Sequence, residues 1–320
     1  MDNTHSPVAK SPCPLCQRLE ATVASQRSRT GDPLTTLSCN HCGLFRNDPL
    51  PTSEELRRFH EVEYRESYKG IRTPKPRNVY RSARLAMDRL QRLTRRLPQA
   101  SKILDVGSGS GEWLAVLKQA GHRVCGVEPD PFYGEFARQR YAVQVETKGI
   151  LDLARPENPF DVITLFHVLE HLPDPLAALQ NFRDWLPPGG LLIIEVPNTN
   201  SVHQNPAGRF HPAHVIGFTK ESLQFAGAAG GWEQLEISLD GYERNLLAVF
   251  RKPLADAPLP AASPAKAEPL LTTPATVARY YFQISTYTRF FVRMVQFARE
   301  WLALRLPGQS LPALDQPNRS

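Results

Sequence analysis

Four of the five cysteines form two close pairs near the N-terminus of the 320-residue chain. Two residues separate Cys13 from Cys16 and Cys39 from Cys42, and 22 residues lie between the pairs. Two residues between ligands allow one turn to present both sulfurs to a single ion, which is typical of tetrahedral zinc. Because cysteine fills all four positions, such a site is closed and structural. Two disulfides and a redox-active pair are the alternatives.

A glycine-rich run, Gly107–Gly111, follows the apolar segment Ile103–Val106 and precedes a helical pattern. Glycines there permit a tight turn and let a ligand approach bare backbone. The N-terminus of the helix would add free N–H groups and a partial positive charge. A dinucleotide-binding fingerprint has glycine at the position of Glu112, where a carboxylate would oppose a pyrophosphate. The run therefore indicates a ligand without a pyrophosphate.

Two acidic residues end the predicted strands beside this run. Glu128 ends the second strand, 17 residues after Gly111, where a carboxylate can accept hydrogen bonds from both ribose hydroxyls. Asp105 ends the first strand, where it could anchor the turn or hold an ammonium group. The glycines and the two acids together predict a site for a ligand with a ribose and a cationic group.

Two histidines and a glutamate follow the fourth predicted strand directly. His167, Glu170 and His171 lie within five residues, at the carboxyl edge where open α/β sheets bind ligands. This grouping favours a functional role over a buried structural histidine. His171 could act as general base, because imidazole exchanges protons near neutral pH. Glu170 could orient it or bind an acceptor hydroxyl, and a metal site is the competing interpretation.

Short apolar runs alternate with helical patterns from residue 101 to residue 252, which predicts a parallel sheet covered by helices on both faces. The predicted strands are Ile103–Val106, Val124–Val127, Val143–Val145, Asp161–Phe166, Leu191–Val196, Glu233–Leu239 and Leu246–Arg251. The predicted helices are Glu112–Ala120, Pro131–Arg140, Pro175–Leu186 and Lys220–Ala229. The turn signal Asp240-Gly241 predicts that the last two strands are antiparallel.

These motifs resemble those of class I S-adenosylmethionine-dependent methyltransferases. The resemblance covers roughly residues 64–251 and rests on ILDVGSGSGEWL, VCGVEPD, FDVITLFHVLEHLPDP and LPPGGLLIIEVPN, in the family's order and spacing. It implies an α/β fold with a doubly wound, Rossmann-like sheet of seven strands, the last antiparallel. It also implies S-adenosyl-L-methionine as cofactor. The implied cofactor residues are Gly107, Gly109 and Gly111 along the ligand, Asp105 near its amino-acid end, Glu128 at its ribose, Asp152 at its adenine, Phe166 against its adenosine and Tyr64 as a cap at its methionine end.

The acceptor side also resembles known families. Ubiquinone-type O-methyltransferases and small-RNA 2′-O-methyltransferases have a similar E-x-x-E-H run, thought to hold a divalent cation. His167 replaces the first Glu here, which disfavours magnesium, a hard cation that prefers oxygen ligands, and leaves a softer metal open. The run HPAHVIGFTKESL resembles an acceptor-side lid, which implies that His214, or otherwise His211, points to the active site.

The flanking segments divide the chain further. The predicted parts are a zinc-binding module (1–50), a helical connector (51–100), the core (101–252), a Pro/Ala linker (253–275), an aromatic helix (276–306) and a disordered tail (307–320). A zinc module before such a core is similar to that of bacterial sugar C-methyltransferases.

The connector includes polar (52–69) and amphipathic (77–97) helical patterns. Its segment 77–96 carries seven arginines and one aspartate and so has a net charge of +6, which is also the net charge of the whole chain. This basic face is either solvated or binds RNA or an acidic partner.

The sequence therefore predicts a cytoplasmic methyltransferase with S-adenosylmethionine and structural zinc, acting on a small-molecule or sugar-containing acceptor. A second divalent metal at the His/Glu cluster is a further hypothesis. A zinc-containing RNA methyltransferase and a non-catalytic zinc-dependent scaffold are the alternatives. The aromatic helix is too charged to span a bilayer and is expected to dock, to form a homodimer or to lie at a membrane interface.

Overall fold

The computed structural model describes residues 9–52, 54–56, 58, 74–240, 243–254, 269 and 271–305. The predicted cap Tyr64 lies outside the described residues, as do most of the predicted helix 52–69, most of the Pro/Ala linker and the whole predicted tail. Two compact units make up the chain. The first consists of Met1–Glu61 and Leu165–Thr286, and the second of Val62–Thr164 and Tyr287–Ser320.

Eleven strands and seven α-helices follow one another in the described residues. The strands are β1 (Ala21–Arg27), β2 (Pro33–Cys39), β3 (Phe45–Asn47), β4 (Lys102–Val106), β5 (Arg123–Val127), β6 (Gln144–Glu146), β7 (Val162–Phe166), β8 (Leu191–Pro197), β9 (Ile216–Gly217), β10 (Glu233–Leu239) and β11 (Asn245–Arg251). The helices are α1 (Pro76–Leu93), α2 (Glu112–Gln119), α3 (Pro131–Tyr141), α4 (Pro175–Asp184), α5 (Lys220–Ala229), α6 (Pro274–Phe282) and α7 (Ile284–Arg305).

The larger sheet has seven strands in the order β10-β11-β8-β7-β4-β5-β6. Strands β4, β5 and β6 pair in parallel, whereas β11 is antiparallel to both β8 and β10. The predicted α/β class, with a doubly wound sheet whose last strand is antiparallel, is thereby confirmed. The predicted strands also match the observed ones to within one residue at each end, because their apolar runs are short and sharply bounded.

In the second unit, α1 packs on α2 through the predicted apolar stripe. Val79, Ala83, Ala86 and Leu93 are buried, at the spacings of three and four residues that place side chains on one helix face. The basic face is only partly solvated, because Arg89 is buried as well.

The C-terminal aromatic segment forms two helices rather than the single helix predicted. The backbone of Gln283 is extended and separates α6 from α7. In the second unit, α7 is fastened to α1 by Glu300, which is buried and accepts hydrogen bonds from Arg77 Nε at 2.9 Å and Arg81 Nη2 at 2.8 Å. The Arg77 guanidinium also lies 3.9 Å from the centre of the Phe297 ring. Among the described residues, no helix is long and apolar enough to cross a membrane.

The first unit contains a second, antiparallel sheet of four strands in the order β1-β2-β3-β9. Strand β9 follows β8 in the chain, yet it pairs with the N-terminal segment, so that Phe45 faces Gly217 and Arg46 faces Ile216. Gly217 must be small here, because a Cβ atom would lie 2.5 Å from Thr199 Oγ1. The N-terminal cysteine module and the chain after β8 therefore share one sheet.

Candidate functional site

The four paired cysteines converge in the first unit. Sγ–Sγ distances are 3.5 Å between Cys13 and Cys42 and 3.4 Å between Cys16 and Cys39, and all four sulfurs lie within 4.8 Å of one another. In a tetrahedron with Zn–S bonds of about 2.3 Å, sulfurs are about 3.8 Å apart. The spacing and the soft donors therefore fit zinc, as the sequence predicts.

Both cysteine turns are built alike. The N–H of Gln17 donates to the carbonyl of Cys13 at 2.8 Å, and the N–H of Gly43 donates to that of Cys39 at 3.0 Å. Each donor residue has a positive φ, 60° and 71° respectively. Hydrogen bonds among the four thiols lower the pKa values of Cys16 and Cys39 and raise those of the other two cysteines, so the cluster shares its protons between the two pairs until a metal displaces them.

The glycine run between β4 and α2 lies in the second unit. Gly109 and Gly111 have φ angles of +53° and +88°, the left-handed region that favours glycine. A Cβ atom on Gly111 would lie 2.6 Å from the Cβ of Ala137 in α3, so glycine is required there for helix packing. A Cβ atom on Gly109 would meet nothing within 4 Å. The backbone at Gly109 is therefore open to a ligand.

Helix α2 begins differently from the helices that follow it. Asp130, Asp174 and Thr219 cap α3, α4 and α5 by accepting backbone N–H hydrogen bonds. At the start of α2, Gly111 provides no side-chain cap. The first N–H groups of a helix lack intrahelical partners, and the residue that precedes α2 supplies no side-chain acceptor for them.

Glu128 lies against the glycine run, as predicted. Its Oε2 accepts a hydrogen bond from the Gly109 N–H at 2.8 Å, and its Oε1 accepts one from the Asp130 N–H at 2.9 Å. The carboxyl group is almost fully buried, and burial raises its pKa to about 7. Each carboxylate oxygen has two lone pairs, so both can accept further hydrogen bonds from ligand hydroxyls.

Two other buried carboxyl groups flank the run. Asp105, just before it, accepts a hydrogen bond from the Thr164 hydroxyl at 2.6 Å, and Glu112, just after it, accepts one from the Ser110 hydroxyl at 2.8 Å. Burial raises the pKa of both carboxyl groups to about 7. Three acidic groups around one turn disfavour a phosphate ligand and favour a cationic one.

The structure leaves two predicted cofactor residues without an assigned role. Asp152 is exposed in a 3-10 turn, Ile150–Asp152, of the second unit. Phe166 is half-buried at the end of β7. Their contacts with adenine and adenosine stay predictions.

The first unit encloses a cavity of about 470 Å³. Two parts of the unit that are distant in sequence line this cavity. The N-terminal module contributes Arg46 and Asn47, and the chain after β7 contributes His167, Glu170 and His214. Volumes of this size suit small-molecule ligands. The predicted His/Glu cluster thus contributes to the wall of a ligand-sized space.

His167 positions carboxylates in this wall. Its φ of 58° is unusual for a residue with a side chain. Its Nε2 lies 3.1 Å from Glu195 Oε1 and its Nδ1 lies 3.4 Å from Glu170 Oε1. Burial lowers the pKa of His167, but Glu170 and Glu195 outweigh burial and raise it to about 9. His167 is therefore protonated near neutral pH and cannot accept a further proton there.

Glu170, His171 and His214 form a compact cluster, with one potential ligand atom from each within 4.8 Å of the others. His171 Nδ1 lies 2.9 Å from the carbonyl of Ala213 and must donate to it, because a carbonyl only accepts. In the neutral ring, Nε2 then carries the lone pair. The His214 ring lies 4.8 Å from the His171 ring, and burial lowers the pKa of His214 to about 4.

Glu170 is the charged member of the cluster. Burial raises its pKa, but His167 outweighs burial and leaves the pKa below its usual value. Both of its carboxylate oxygens are buried and lack a hydrogen-bond partner among the described residues. The cluster can therefore accept a proton at His171 or supply two imidazoles and one carboxylate to a metal ion. His211 is less central, since its Nδ1 accepts a hydrogen bond from the Ala213 N–H at 3.1 Å.

The contribution of the N-terminal module to the cavity is absent from the sequence prediction. Arg46 and Asn47 line the cavity because β3 pairs with the two-residue strand β9. Arg209 also lines it, although it lies in irregular structure before β9. Only the proximity of Arg209 to the predicted lid could have indicated this role.

Comparisons with known proteins agree with this architecture. The chain matches a family model described as a methyltransferase domain over residues 77–236, which is half of the chain. The ubiquinone biosynthesis O-methyltransferase of Haemophilus ducreyi is 33% identical over 108 residues, covering 30% of this chain and 45% of that protein. The enzyme of the same name from Xanthomonas campestris pv. campestris is 34% identical over 108 residues, covering 32% and 45%.

A solved structure, the 1,6-didemethyltoxoflavin-N1-methyltransferase of Burkholderia thailandensis, aligns with a TM-score of 0.48 and 20% identity, covering 69% of this chain and 96% of that one. The chain spans about half the length of the curated relatives it matches. The family model covers the glycine run, the acids around it and the His/Glu cluster after β7. The chain therefore belongs to the methyltransferase domain family.

Proposed function

We propose that this protein transfers a methyl group from S-adenosylmethionine to a small-molecule or sugar-containing acceptor. The open backbone at Gly109, with three buried carboxyl groups around it, carries this proposal. S-adenosylmethionine has a sulfonium, an ammonium group and a ribose but no phosphate. Its charges and hydroxyls therefore match a site where acidic groups replace the usual phosphate-binding backbone.

The residues of the second unit would hold this donor by three kinds of contact. The Glu128 carboxylate would accept hydrogen bonds from the ribose hydroxyls. The bare backbone at Gly107 and Gly109 would let the ligand approach, and Asp105 would lie toward the amino-acid end of the ligand. When bound, S-adenosylmethionine supplies an electrophilic methyl group on sulfur. Displacement at that carbon is in line, so positioning provides most of the protein's contribution.

The residues of the first unit would bind and deprotonate the acceptor. Transfer to a hydroxyl requires loss of its proton. His171 Nε2 would take that proton, because Nδ1 donates to the Ala213 carbonyl and the lone pair of the neutral ring then lies on Nε2. The charged Glu170 would stabilise the imidazolium that results, and the protonated His167 keeps Glu170 ionised.

A metal-binding role of the same cluster has support from one observation. Glu170 is buried and ion-paired with His167 at 3.4 Å, but neither of its oxygens has a hydrogen-bond partner among the described residues, which is costly unless a cation or donor satisfies them. Glu170, His171 and His214 would supply the ligands, and two imidazoles suit a transition metal better than magnesium. When bound, such an ion would acidify an acceptor hydroxyl.

The alternatives from the sequence have less support. Arg77 and Arg81 of the basic helix pair with Glu300, and Arg89 is buried, so these cations are occupied within the protein. An RNA substrate therefore stays a prediction without a structural argument. The intact glycine run and cluster likewise do not favour a non-catalytic scaffold. Cytoplasmic location and a homodimer remain predictions.

Alanine substitutions in the glycine run test donor binding. Gly109→Ala should leave the fold intact, at a cost of about 1–2 kcal/mol for the left-handed backbone, but lower the affinity for S-adenosylmethionine at least tenfold, because the methyl group would fill the open approach. Gly111→Ala should destabilise the fold further, since its methyl group would clash with Ala137. Calorimetric titration and thermal unfolding measure the two effects.

Gly121→Ala is the matched control for this test. Gly121 has a φ of +90° with open space around it, but it follows α2 and lies outside the run. The Gly121→Ala variant should lose a similar amount of unfolding free energy as Gly109→Ala, but its affinity for S-adenosylmethionine should equal that of the wild type. Wild-type affinity in Gly109→Ala would contradict the donor site.

Donor affinity should depend on pH through the buried acids. A carboxyl with a pKa of about 7 is mostly ionised at pH 8 and mostly protonated at pH 6. If the cationic donor requires Glu128 ionised, affinity should fall about tenfold over that interval. Glu128→Gln should bind more weakly and show a flatter profile, and the difference between the two profiles removes the titration of the ligand itself. Equal slopes in both proteins would refute the coupling.

The same acids set the pH dependence of stability without ligand. Their pKa values are raised in the folded state above about 4, the value in an unfolded chain. The folded protein therefore binds more protons between pH 4 and pH 7, and the contribution of these groups to the unfolding free energy decreases as pH rises through that window.

Zinc should be bound at about one equivalent per chain. Cys39→Ser should lose the metal and the hydrogen-exchange protection of β1–β3, while β4–β6 stay protected, because a site made of four cysteines stabilises only the segment that it joins. Cys125→Ser is the control, since Cys125 lies outside the cluster. Elemental analysis and exchange mass spectrometry provide the readouts. A metal-free chain with protected β1–β3 would argue against zinc.

The cluster after β7 should govern turnover rather than donor binding. With an acceptor found by screening phenols and sugars, His171→Ala should lower kcat by about 10²–10⁴-fold and leave donor affinity unchanged. His211→Ala, outside the cluster, should have a smaller effect. Titration with Co²⁺ then separates the two roles: saturable binding that His214→Ala abolishes supports a metal site, and its absence leaves His171 as base. Unchanged kcat in His171→Ala would exclude both.

A further inference from the structure

We propose that the cavity of the first unit binds an anionic group of the acceptor, a carboxylate or a phosphate, through Arg46 and Arg209. This inference rests on the proposed methyl transfer and narrows its acceptor to acids and phosphate esters. Arg46 and Arg209 both line the cavity, together with Glu170 and His214 of the cluster. One space thus holds a cationic wall and the groups proposed for chemistry.

Of the two arginines, Arg46 gives the stronger support for an anion site. Its side chain is 0% exposed, and its Nη2 donates to the Ser11 carbonyl at 3.0 Å. Its Nε and Nη1 are buried and have no hydrogen-bond partner among the described residues. A guanidinium stays charged at any physiological pH. Such a buried charge is unfavourable unless an anion compensates it.

Arg209 adds a second buried cation to the same lining. It is 6% exposed, and its Nη2 donates to the Ser201 carbonyl at 3.3 Å. Burial lowers its pKa to about 10, which still leaves it charged near neutral pH. Both guanidinium groups line the same cavity, so an anion bound there would be attracted by both charges.

Arginines outnumber carboxylates among the lining residues. Arg29 and Arg244 are exposed and also line the cavity. The acidic members are Glu170, held beside protonated His167, and Asp240, which accepts hydrogen bonds from the Arg244 N–H at 2.7 Å and Asn245 Nδ2 at 3.0 Å. The lining therefore contains four arginines and two carboxylates, of which Glu170 is ion-paired with His167 and Asp240 accepts hydrogen bonds from Arg244 and Asn245.

The chemistry of the guanidinium group selects the ligand class. Its planar fork donates two parallel hydrogen bonds to a carboxylate or a phosphate, which a neutral hydroxyl or amide cannot match. An anion anchored at Arg46 would also fix the orientation of the acceptor in the cavity. Orientation of this kind is what a displacement reaction needs from its protein.

Calorimetric titrations of the zinc-loaded full chain test this inference with three probes of similar shape. Benzoate and phenyl phosphate carry the two candidate anions, and benzamide is the neutral control. At least one anion should bind ten times more tightly than benzamide, and the stronger one identifies the carboxylate or phosphate as the preferred group. Arg46→Met and Arg209→Met should each weaken that anion at least tenfold. Arg27→Gln is the matched control, since Arg27 lies in the same module but does not line the cavity.

Arg46→Lys protects the test against a folding defect, because it keeps the charge and removes only the fork. If Arg46→Met does not fold, weaker anion binding in both Arg46→Lys and Arg209→Met would support the proposed anion subsite. Equal affinity for benzoate, phenyl phosphate and benzamide, or unchanged anion affinity in folded variants of both arginines, overturns the inference. Donor titrations separate it from the proposed function: failure of the wild type to bind S-adenosylmethionine contradicts methyl transfer alone, and donor binding without anion binding contradicts the anion subsite alone.

Discussion

The geometry of one short backbone segment constrains the donor side of this protein. Between β4 and α2 the chain must turn with positive φ angles, remain free of side-chain bulk at Gly109 and still let α3 pack against Gly111. The Glu128 carboxylate accepts the Gly109 N–H and so ties the end of β5 to this turn. Shape and charge are therefore set together: bare backbone provides access, and buried acids determine which ligands are tolerated.

A second constraint acts in the first unit. Pairing of β3 with β9 joins the cysteine module to the chain after β8, and both then line one cavity. His167 has an unusual backbone conformation, with a φ of 58°, and its charged ring lies 3.4 Å from Glu170, which keeps that carboxylate ionised. The N-terminal module is thus part of the proposed acceptor site.

The sequence predicted the parts of the structure that depend on local patterns. The strands of the large sheet were readable as short apolar runs, and Glu128 was placed at the glycine run because a single β-α-β unit separates them. The pairing of Arg46 with Ile216 was not predictable, since it joins residues 170 positions apart and β9 has only two residues. The interruption of the aromatic helix at Gln283 was missed for a related reason: neither glycine nor proline marks it.

The shared sheet has a consequence for how this protein responds to metal supply. The proposed donor turn lies between β4 and α2 and contacts Glu128 at the end of β5 and Ala137 in α3, all in the second unit, whereas the cysteine cluster lies in the first. One wall of the cavity, in contrast, comes from β3 of the N-terminal module, which also carries the cysteine cluster. If the cysteine cluster binds zinc and the proposed donor and acceptor sites are correct, zinc starvation would impair the acceptor site and spare the donor site. Variation in the first fifty residues would then alter the proposed acceptor selectivity and leave the proposed donor binding unchanged.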